Sequence, residues 1–273
     1  MGLINYSFFS KALGMQTNIA VVLPTYTIGQ RGMSIEEIYP KGRLFRTLYV
    51  LHGGSDDCTY YYRNTSIERL ANEGGFAAVM PEVLLSFYCD MKHGARYFTY
   101  LSEELPAVVQ SIFPLSEKRE DHFVVGNSMG SHGAMKWALR RPDFFAAAAG
   151  MSGVGGLDDL GFLARFKEAK PNSVQNSFGT FEQYQNSEND LKYLARQLAA
   201  SGNTMPRFFS CCGTEDFTYD GCKKFIEFAG EIGFEITYEE GPGGHEWDFW
   251  ERWLRRIVDW MEIKHKPGPE HRV

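Results

Sequence analysis

Several kinds of segment are missing from this chain of 273 residues, and each absence excludes a class of protein. No uninterrupted apolar run is long enough to cross a bilayer, which argues against a membrane span. No run of basic residues is present and the net charge is −6, so nucleic acid is not an expected partner. Residues 1–17 lack a basic segment followed by a clean apolar one, so no signal peptide is expected.

Cysteine is scarce and its spacing does not suggest a metal site. The chain has five cysteines, an odd number, and no Cys-x-x-Cys pair. Two of them, Cys211 and Cys212, lie in an apolar, strand-like run, where cysteine behaves as a small hydrophobic residue. We therefore expect reduced thiols in a cytoplasmic protein.

Short apolar runs alternate with helical patterns along most of the chain. We expect strands at 15–23, 45–51, 77–83, 122–125, 144–152, 207–212 and 234–239, and helices at 66–75, 97–113, 131–140, 222–230 and 247–264. This alternation indicates βαβ units and an α/β fold with a mainly parallel central sheet and helices on both faces. The chain is long enough for one large core and has no internal repeat or linker, so residues 1–273 are predicted to form a single domain.

One segment, residues 155–203, interrupts this alternation. It lies between two predicted strands and is too long for a single crossover, and its apolar residues are scattered among polar ones. We predict a short helical lid insertion over the C-terminal edge of the sheet, where open α/β sheets bind ligands. The alternative is an ordinary layer of connecting helices without contact to a substrate.

A predicted strand is separated from a predicted helix by the pentapeptide Gly126-Asn127-Ser128-Met129-Gly130. This context is typical of a nucleophile elbow, in which a tight turn exposes the serine hydroxyl. The two glycines let the turn pass close to its neighbours, and the helix start supplies N–H groups and a positive dipole end. Ser128 is therefore the predicted nucleophile; a serine that only caps the helix is the alternative.

A serine hydroxyl is a weak nucleophile and needs a general base, which in turn needs an orienting carboxylate. Among the seven histidines, His245 follows a strand in a glycine-rich turn before the last helix, where such a base belongs. Asp216 follows the predicted strand 207–212 and is the first candidate for the carboxylate, with Glu215 and Asp220 as alternatives. The order serine, aspartate, histidine along the chain is that of the α/β-hydrolases.

An oxyanion site needs two hydrogen-bond donors. One is expected to be the N–H of Met129, directly after the nucleophile. The second is expected from the loop after the predicted strand 45–51, with Gly54 as the first choice and Gly53 as the second. We expect His52 to shape this loop, and the alternative is that the two glycines only make a tight turn.

Motifs spread through nearly the whole chain together match one known family. They include Leu51-His52-Gly53-Gly54, Tyr88-Cys89-Asp90-Met91, Gly126-Asn127-Ser128-Met129-Gly130, Cys212-Gly213-Thr214-Glu215-Asp216-Phe217 and Gly244-His245-Glu246-Trp247. In these motifs the chain resembles the esterase family of α/β-hydrolases that contains esterase D and the tributyrin esterases. Within that family, it resembles the tributyrin-esterase branch most. The resemblance implies a serine carboxylesterase for short-chain acyl esters, without a metal or organic cofactor. It also implies Ser128, Asp216 and His245 as the triad.

Other activities in that family define the alternatives. They are hydrolysis of carbohydrate-linked acetyl or feruloyl esters, hydrolysis of a thioester in the manner of S-formylglutathione hydrolase, and acyl transfer to an alcohol. A non-catalytic binding protein is a further alternative, which a missing triad residue would favour. The expected partner is a small-molecule ester, and association into a homo-oligomer is left open.

Overall fold

One eight-stranded sheet runs through the protein. The computed structural model describes residues 1–155, 157, 170 and 172–264. Its strands are β1 (Gly2–Ser10), β2 (Met15–Leu23), β3 (Thr47–Leu51), β4 (Ala77–Pro81), β5 (His122–Asn127), β6 (Ala147–Met151), β7 (Arg207–Gly213) and β8 (Thr237–Gly241). They lie in the order β1-β2-β4-β3-β5-β6-β7-β8; both pairs that involve β2 are antiparallel and the other five are parallel. The predicted α/β fold with a mainly parallel sheet is therefore confirmed.

Helices connect these strands. They are α1 (Ile35–Ile38), α2 (Tyr60–Asn64), α3 (Ile67–Gly74), α4 (Tyr97–Thr99), α5 (Leu105–Ile112), α6 (Met129–Arg140), α7 (Ser173–Phe178), α8 (Phe181–Tyr184), α9 (Leu191–Ser201), α10 (Tyr219–Glu231) and α11 (Trp247–Met261). A π-helical turn, Tyr100–Glu104, joins α4 to α5. Pro106 has no N–H for the carbonyl of Ser102, and its ring conflicts with that carbonyl, which favours such a widening. Among the described residues, no helix is long and apolar enough to cross a membrane.

Both faces of the sheet are buried against helices. Neighbouring residues of β5 point to opposite faces: Val124 lies in one core with Trp137 of α6, and Val125 lies in the other with Phe249 of α11. The first core also contains side chains of α5, α9 and α10, and the second contains side chains of α3. The period of two along each strand and the apolar stripe of each helix produce this three-layer arrangement.

The first strand was not among the predicted elements. β1 forms an antiparallel hairpin with β2, from the pair Gly2–Leu23 to the pair Ser10–Met15. Its residues alternate between half-buried and exposed from Gly2 to Phe9, and the last residue, Ser10, is buried. Because one face is exposed and the other only half covered, β1 lacks the continuous apolar run that marks most of the other strands. The alternation of apolar and polar residues from Ile4 to Phe8 was the sequence signal for this strand.

Two strands begin three residues later than predicted. In the predicted strand 144–152, the N–H of Phe144 donates to the carbonyl of Arg141 in the turn after α6, so β6 begins only at Ala147. In the predicted strand 234–239, the N–H of Phe234 donates to the carbonyl of Ala229 at the end of α10, so β8 begins at Thr237. Both phenylalanines contribute to packing, which is why their apolar character was misread as strand.

The predicted lid, 155–203, is described only in part, because residues 156, 158–169 and 171 lie outside the described residues. α9 packs in the same core as α6 and α10, as a connecting layer would. The end of α7 is bound to the loop between β4 and α4, since the N–H of Lys92 donates to the carbonyl of Ser177. A cavity of about 300 Å³ lies between α7 and α8, and none of the predicted site residues lines it. The lid and the single-domain organisation stay predictions.

Candidate active site

Ser128 occupies a strained turn between β5 and α6. Its backbone has φ 53° and ψ −119°, a conformation that costs a residue other than glycine on the order of 1–3 kcal/mol. A Cβ on Gly126 would lie 2.2 Å from the carbonyl oxygen of Gly130, and a Cβ on Gly130 would lie 2.0 Å from that of Leu51. Only glycine therefore fits at both ends of the pentapeptide, and the turn that it permits is that of a nucleophile elbow.

The side chains of Ser128, His245 and Asp216 form one hydrogen-bonded chain. The Oγ of Ser128 lies 2.9 Å from Nε2 of His245, whose Nδ1 lies 3.0 and 3.1 Å from the two carboxylate oxygens of Asp216. The three residues follow β5, β7 and β8, parallel strands whose carboxyl ends meet at one edge of the sheet. An imidazole in this position can take the serine proton through Nε2 while Nδ1–H donates to the carboxylate.

The carboxylate of Asp216 is fully buried and well supplied with donors. The backbone N–H and the hydroxyl of Thr218 both donate to its Oδ1, each at 2.8 Å. Burial alone would raise the pKa of Asp216, but the hydrogen bond and charge of His245 and the two bonds from Thr218 outweigh burial and lower that pKa. Asp216 is therefore held as a carboxylate beside the imidazole.

The alternative carboxylates lie elsewhere. Glu215 accepts hydrogen bonds from the N–H of Gly243 and the hydroxyl of Thr214, and so joins the loop after β7 to the loop after β8. Asp220 is exposed in the first turn of α10. Of the three acidic candidates, it is Asp216 that contacts His245.

Aromatic rings pack against the imidazole of His245. The ring of Phe217 lies 4.4 Å away and is about half exposed, and the ring of Trp250 stands edge-on at 5.0 Å. Trp250 is itself held, because its Nε1–H donates to Ser152 Oγ at 3.1 Å. Sequence reasoning did not assign Thr218 or Trp250 to the site. The Asp-x-Thr spacing of an Asx-type turn was the available signal for Thr218.

The glycine loop after β3 lies directly against the elbow. A Cβ on Gly53 would lie 3.5 Å from the Cβ of Ser128, and one on Gly54 would lie 3.9 Å from the Cβ of Met129. The N–H of Gly53 donates to Asp56 Oδ2 at 3.1 Å, so that donor is already engaged. Within the described part of the chain the N–H of Gly54 makes no hydrogen bond, and Met129 opens α6 and so has no intrahelical acceptor.

One group of side chains has the composition of a metal site. The ligand atoms of Asp57, Cys58 and Glu82 lie within 4.8 Å of one another. The Glu82 carboxylate already accepts the N–H of Cys58 at 3.2 Å and that of Leu84 at 3.0 Å. Burial, followed by the charges of Glu82 and Asp57, raises the pKa of the Cys58 thiol to about 12. The group includes none of the residues of the chain Ser128, His245 and Asp216.

The fold and this geometry define a class of protein. A serine on a strand–turn–helix elbow is hydrogen-bonded to a histidine that a carboxylate orients, and the three follow the chain order serine, aspartate, histidine. On this sheet, that is the arrangement of the α/β-hydrolase serine hydrolases. Residues 90–261 match the model of the family described as "Putative esterase". The chain belongs to this esterase family.

Individual relatives agree with this assignment. The chain is 27% identical over 265 residues to an acetyl esterase of Caldicellulosiruptor saccharolyticus, covering 96% of this chain and 98% of the relative. It is 34% identical to FphF, a fluorophosphonate-binding serine hydrolase of Staphylococcus aureus, with a TM-score of 0.83 and coverage of 96% and 98%. It is 33% identical to the S-formylglutathione hydrolase FrmB of the same organism, with a TM-score of 0.81 and the same coverage. The predicted serine carboxylesterase activity, and hence an ester as substrate, is confirmed.

Proposed function

We propose that the chain hydrolyses short-chain acyl esters of small molecules through an acyl intermediate on Ser128. The observation that carries the proposal is the continuous hydrogen-bonded chain from Ser128 through His245 to Asp216, with contacts of 2.9 and 3.0 Å. The name of the acetyl esterase relative supports a small acyl group. Met129 and Gly54 are proposed as the oxyanion donors, because their N–H groups flank the elbow.

The proposed reaction has two steps. In the first, Ser128 Oγ attacks the carbonyl carbon of the ester while its proton passes to His245 Nε2. The oxyanion that forms accepts hydrogen bonds from the N–H groups of Met129 and Gly54. His245 then gives that proton to the departing alcohol oxygen, which leaves an acyl-serine. In the second step His245 takes a proton from water, the resulting hydroxide attacks the acyl carbon, and Ser128 recovers the proton as the acid leaves.

Acyl length gives the direct test. We expect a series of p-nitrophenyl esters from acetate to octanoate to show the highest kcat/KM at the shortest chains. The measurement is initial release of p-nitrophenol, with the Ser128→Ala variant at equal concentration as the control. A maximum at octanoate would contradict the short-chain proposal, and equal rates for the two proteins would contradict the assignment of Ser128.

A second candidate is hydrolysis of a glutathione thioester, which the 33% identity to an S-formylglutathione hydrolase favours. The same residues would act, with a thiol in place of the alcohol as leaving group. Comparing kcat/KM for S-formylglutathione with that for p-nitrophenyl acetate distinguishes the two. A much higher value for the thioester would make the thioesterase the principal activity.

The role proposed for Asp216 predicts a large kinetic effect. Asp216→Asn is expected to lower kcat by about 10³- to 10⁴-fold, because an amide neither fixes the Nδ1–H tautomer of His245 nor stabilises the imidazolium. The measurement is kcat for p-nitrophenyl acetate, with Asp220→Asn on the surface of α10 as the matched control. A loss of similar size in the control would contradict the choice of Asp216.

The same substitution has an effect on stability in acid. The pKa of Asp216 is lowered in the folded protein, so its contribution to stability is present above its unfolded pKa of about 3.9 and is lost as pH falls through the folded value. We expect the free energy of unfolding of Asp216→Asn to fall less steeply over this acidic range than that of the wild type. Urea titrations at a series of pH values measure the two slopes.

A cytoplasmic location is also proposed. All five cysteines are buried free thiols, and free thiols are typical of reducing compartments. Association into a homo-oligomer stays a prediction, which sedimentation of the purified protein would test.

A further inference from the structure

The peptide that links Gly53 to Gly54 is fixed through its carbonyl oxygen. The Gly53 oxygen lies 2.8 Å from Nδ1 of His52 and accepts the N–H of Asp56 at 3.3 Å. In a trans peptide the N–H points away from the C=O of the same unit. Two donors on the Gly53 oxygen therefore set the direction of the Gly54 N–H, which is the proposed second oxyanion donor.

The imidazole of His52 is itself held in one orientation. It is 1% exposed, and its Nε2 accepts the backbone N–H of Val83 at 3.2 Å. Because Nε2 is the acceptor, the ring proton is on Nδ1 and is donated to the Gly53 oxygen. The Glu82 carboxylate lies 3.5 Å from Nε2, accepts hydrogen bonds from the N–H groups of Cys58 and Leu84, and further fixes the ring in place. His52 therefore links the end of β4 to the glycine loop.

The second anchor of the loop is Asp56. Its carboxylate accepts the N–H of Gly53 and its own N–H donates back to the carbonyl of Gly53, which closes a tight turn. Ser55, inside this turn, has a φ of 81°. Thus the peptide before Gly54 is held on one side by His52 and on the other by Asp56.

We propose that His52 is a positioning residue for the oxyanion site. Its Nδ1–H bond to the Gly53 oxygen aims the Gly54 N–H at the oxygen of the tetrahedral intermediate and polarises that N–H as a donor. The inference rests on the proposed esterase function and concerns a residue that does not touch the substrate. The negative charge on that oxygen develops in the transition state, so loss of the His52 contact is expected to lower kcat and to leave KM nearly unchanged.

A pair of substitutions distinguishes the contribution of the Nδ1 contact with Gly53 from that of the Nε2 contact with Val83. His52→Asn puts an amide near the place of Nδ1, where it can donate to Gly53, and His52→Gln puts its amide near the place of Nε2, where its oxygen can accept from Val83. We expect His52→Gln to lower kcat by about 10- to 100-fold with little change in KM, and His52→Asn to stay within about threefold of wild type.

The opposite order would overturn the proposal. If His52 served only to hold Val83 and the end of β4, His52→Gln would be the more active variant and His52→Asn the weaker one. Wild-type kcat in both variants would equally reject a positioning role. The substrate is p-nitrophenyl acetate, and thermal unfolding of each variant reports whether it has folded.

A trifluoromethyl ketone gives a second readout if both variants lose activity. Ser128 adds to its carbonyl carbon and the resulting oxyanion occupies the oxyanion site, so its inhibition constant reports on that site directly. The proposal requires the inhibition constant to rise in proportion to the fall in kcat/KM across the variants. An unchanged inhibition constant with a lowered kcat would reject it.

The Ser128→Ala protein distinguishes this inference from the function on which it rests. If wild type and Ser128→Ala hydrolyse the ester equally, the proposed function fails. If Ser128→Ala is inactive while His52→Gln keeps wild-type kcat, the function stands and only the role of His52 fails.

Discussion

Ser128→Ala is expected to lower kcat/KM for p-nitrophenyl acetate by about 10⁴- to 10⁶-fold. The substitution removes the only atom of the elbow that His245 can deprotonate, while the backbone turn and the oxyanion donors stay in place. Water attacking the bound ester directly then accounts for the residual rate. The measurement is the initial rate at several substrate concentrations for both proteins.

The fold must survive this substitution for the result to be informative. Ser128 is linked to the sheet through its backbone, since its N–H donates to the carbonyl of Met151 at 2.8 Å, and alanine keeps that bond. A circular dichroism spectrum and an unfolding midpoint near the wild-type values are therefore expected. Ser111→Ala, an exposed serine on α5, is the matched control and should keep full activity. Substantial turnover in Ser128→Ala would remove Ser128 from the mechanism.

Gly130→Ala is expected to destabilise the protein by about 3 kcal/mol or more. The new Cβ would lie 2.0 Å from the carbonyl oxygen of Leu51 and 2.6 Å from its carbonyl carbon. Both are backbone atoms of a central strand, so relief requires α6 to move away from β3. That movement also displaces Met129 and Ser128, so we expect activity to be lost together with stability. Urea unfolding measures the first effect and ester hydrolysis the second.

A glycine in a similar element supplies the control. Gly230 lies in α10, and a Cβ there would meet nothing within 4 Å. Gly230→Ala is expected to leave activity unchanged and to raise the free energy of unfolding by about 0.5–1 kcal/mol, as for an exposed helical position. If Gly130→Ala were as stable as Gly230→Ala, the close packing of α6 against β3 would be wrong.

The site was predictable from sequence where local rules fix it. The two glycines of the pentapeptide are required by close contacts of Gly126 with Gly130 and of Gly130 with Leu51, where any Cβ would clash with backbone atoms. The base and the carboxylate each follow a strand in a short loop, so the parallel sheet brings His245 and Asp216 to the edge that holds Ser128. Apolar runs identified seven of the eight strands, with β6 and β8 each predicted to begin three residues too early.

The rest depends on contacts between distant loops. The proposed choice of Gly54 over Gly53 as oxyanion donor depends on the engagement of the Gly53 N–H by Asp56, about which periodicity carries no information. The support of Asp216 by Thr218 and the double contact of His52 with Gly53 and Val83 are also tertiary features. β1 was not predicted for a different reason, since a strand with one exposed face has polar residues between its apolar ones and so no continuous apolar run.

The most direct test of the central claim is to identify the residue that carries the acyl group. Wild type turning over p-nitrophenyl acetate would be quenched in acid, which stops deacylation, and then digested and analysed by tandem mass spectrometry. The account predicts an acetyl group on Ser128, and its loss from the corresponding peptide of Ser128→Ala. An acetyl group on another side chain, or turnover that continues in Ser128→Ala without any acyl-enzyme, would contradict it.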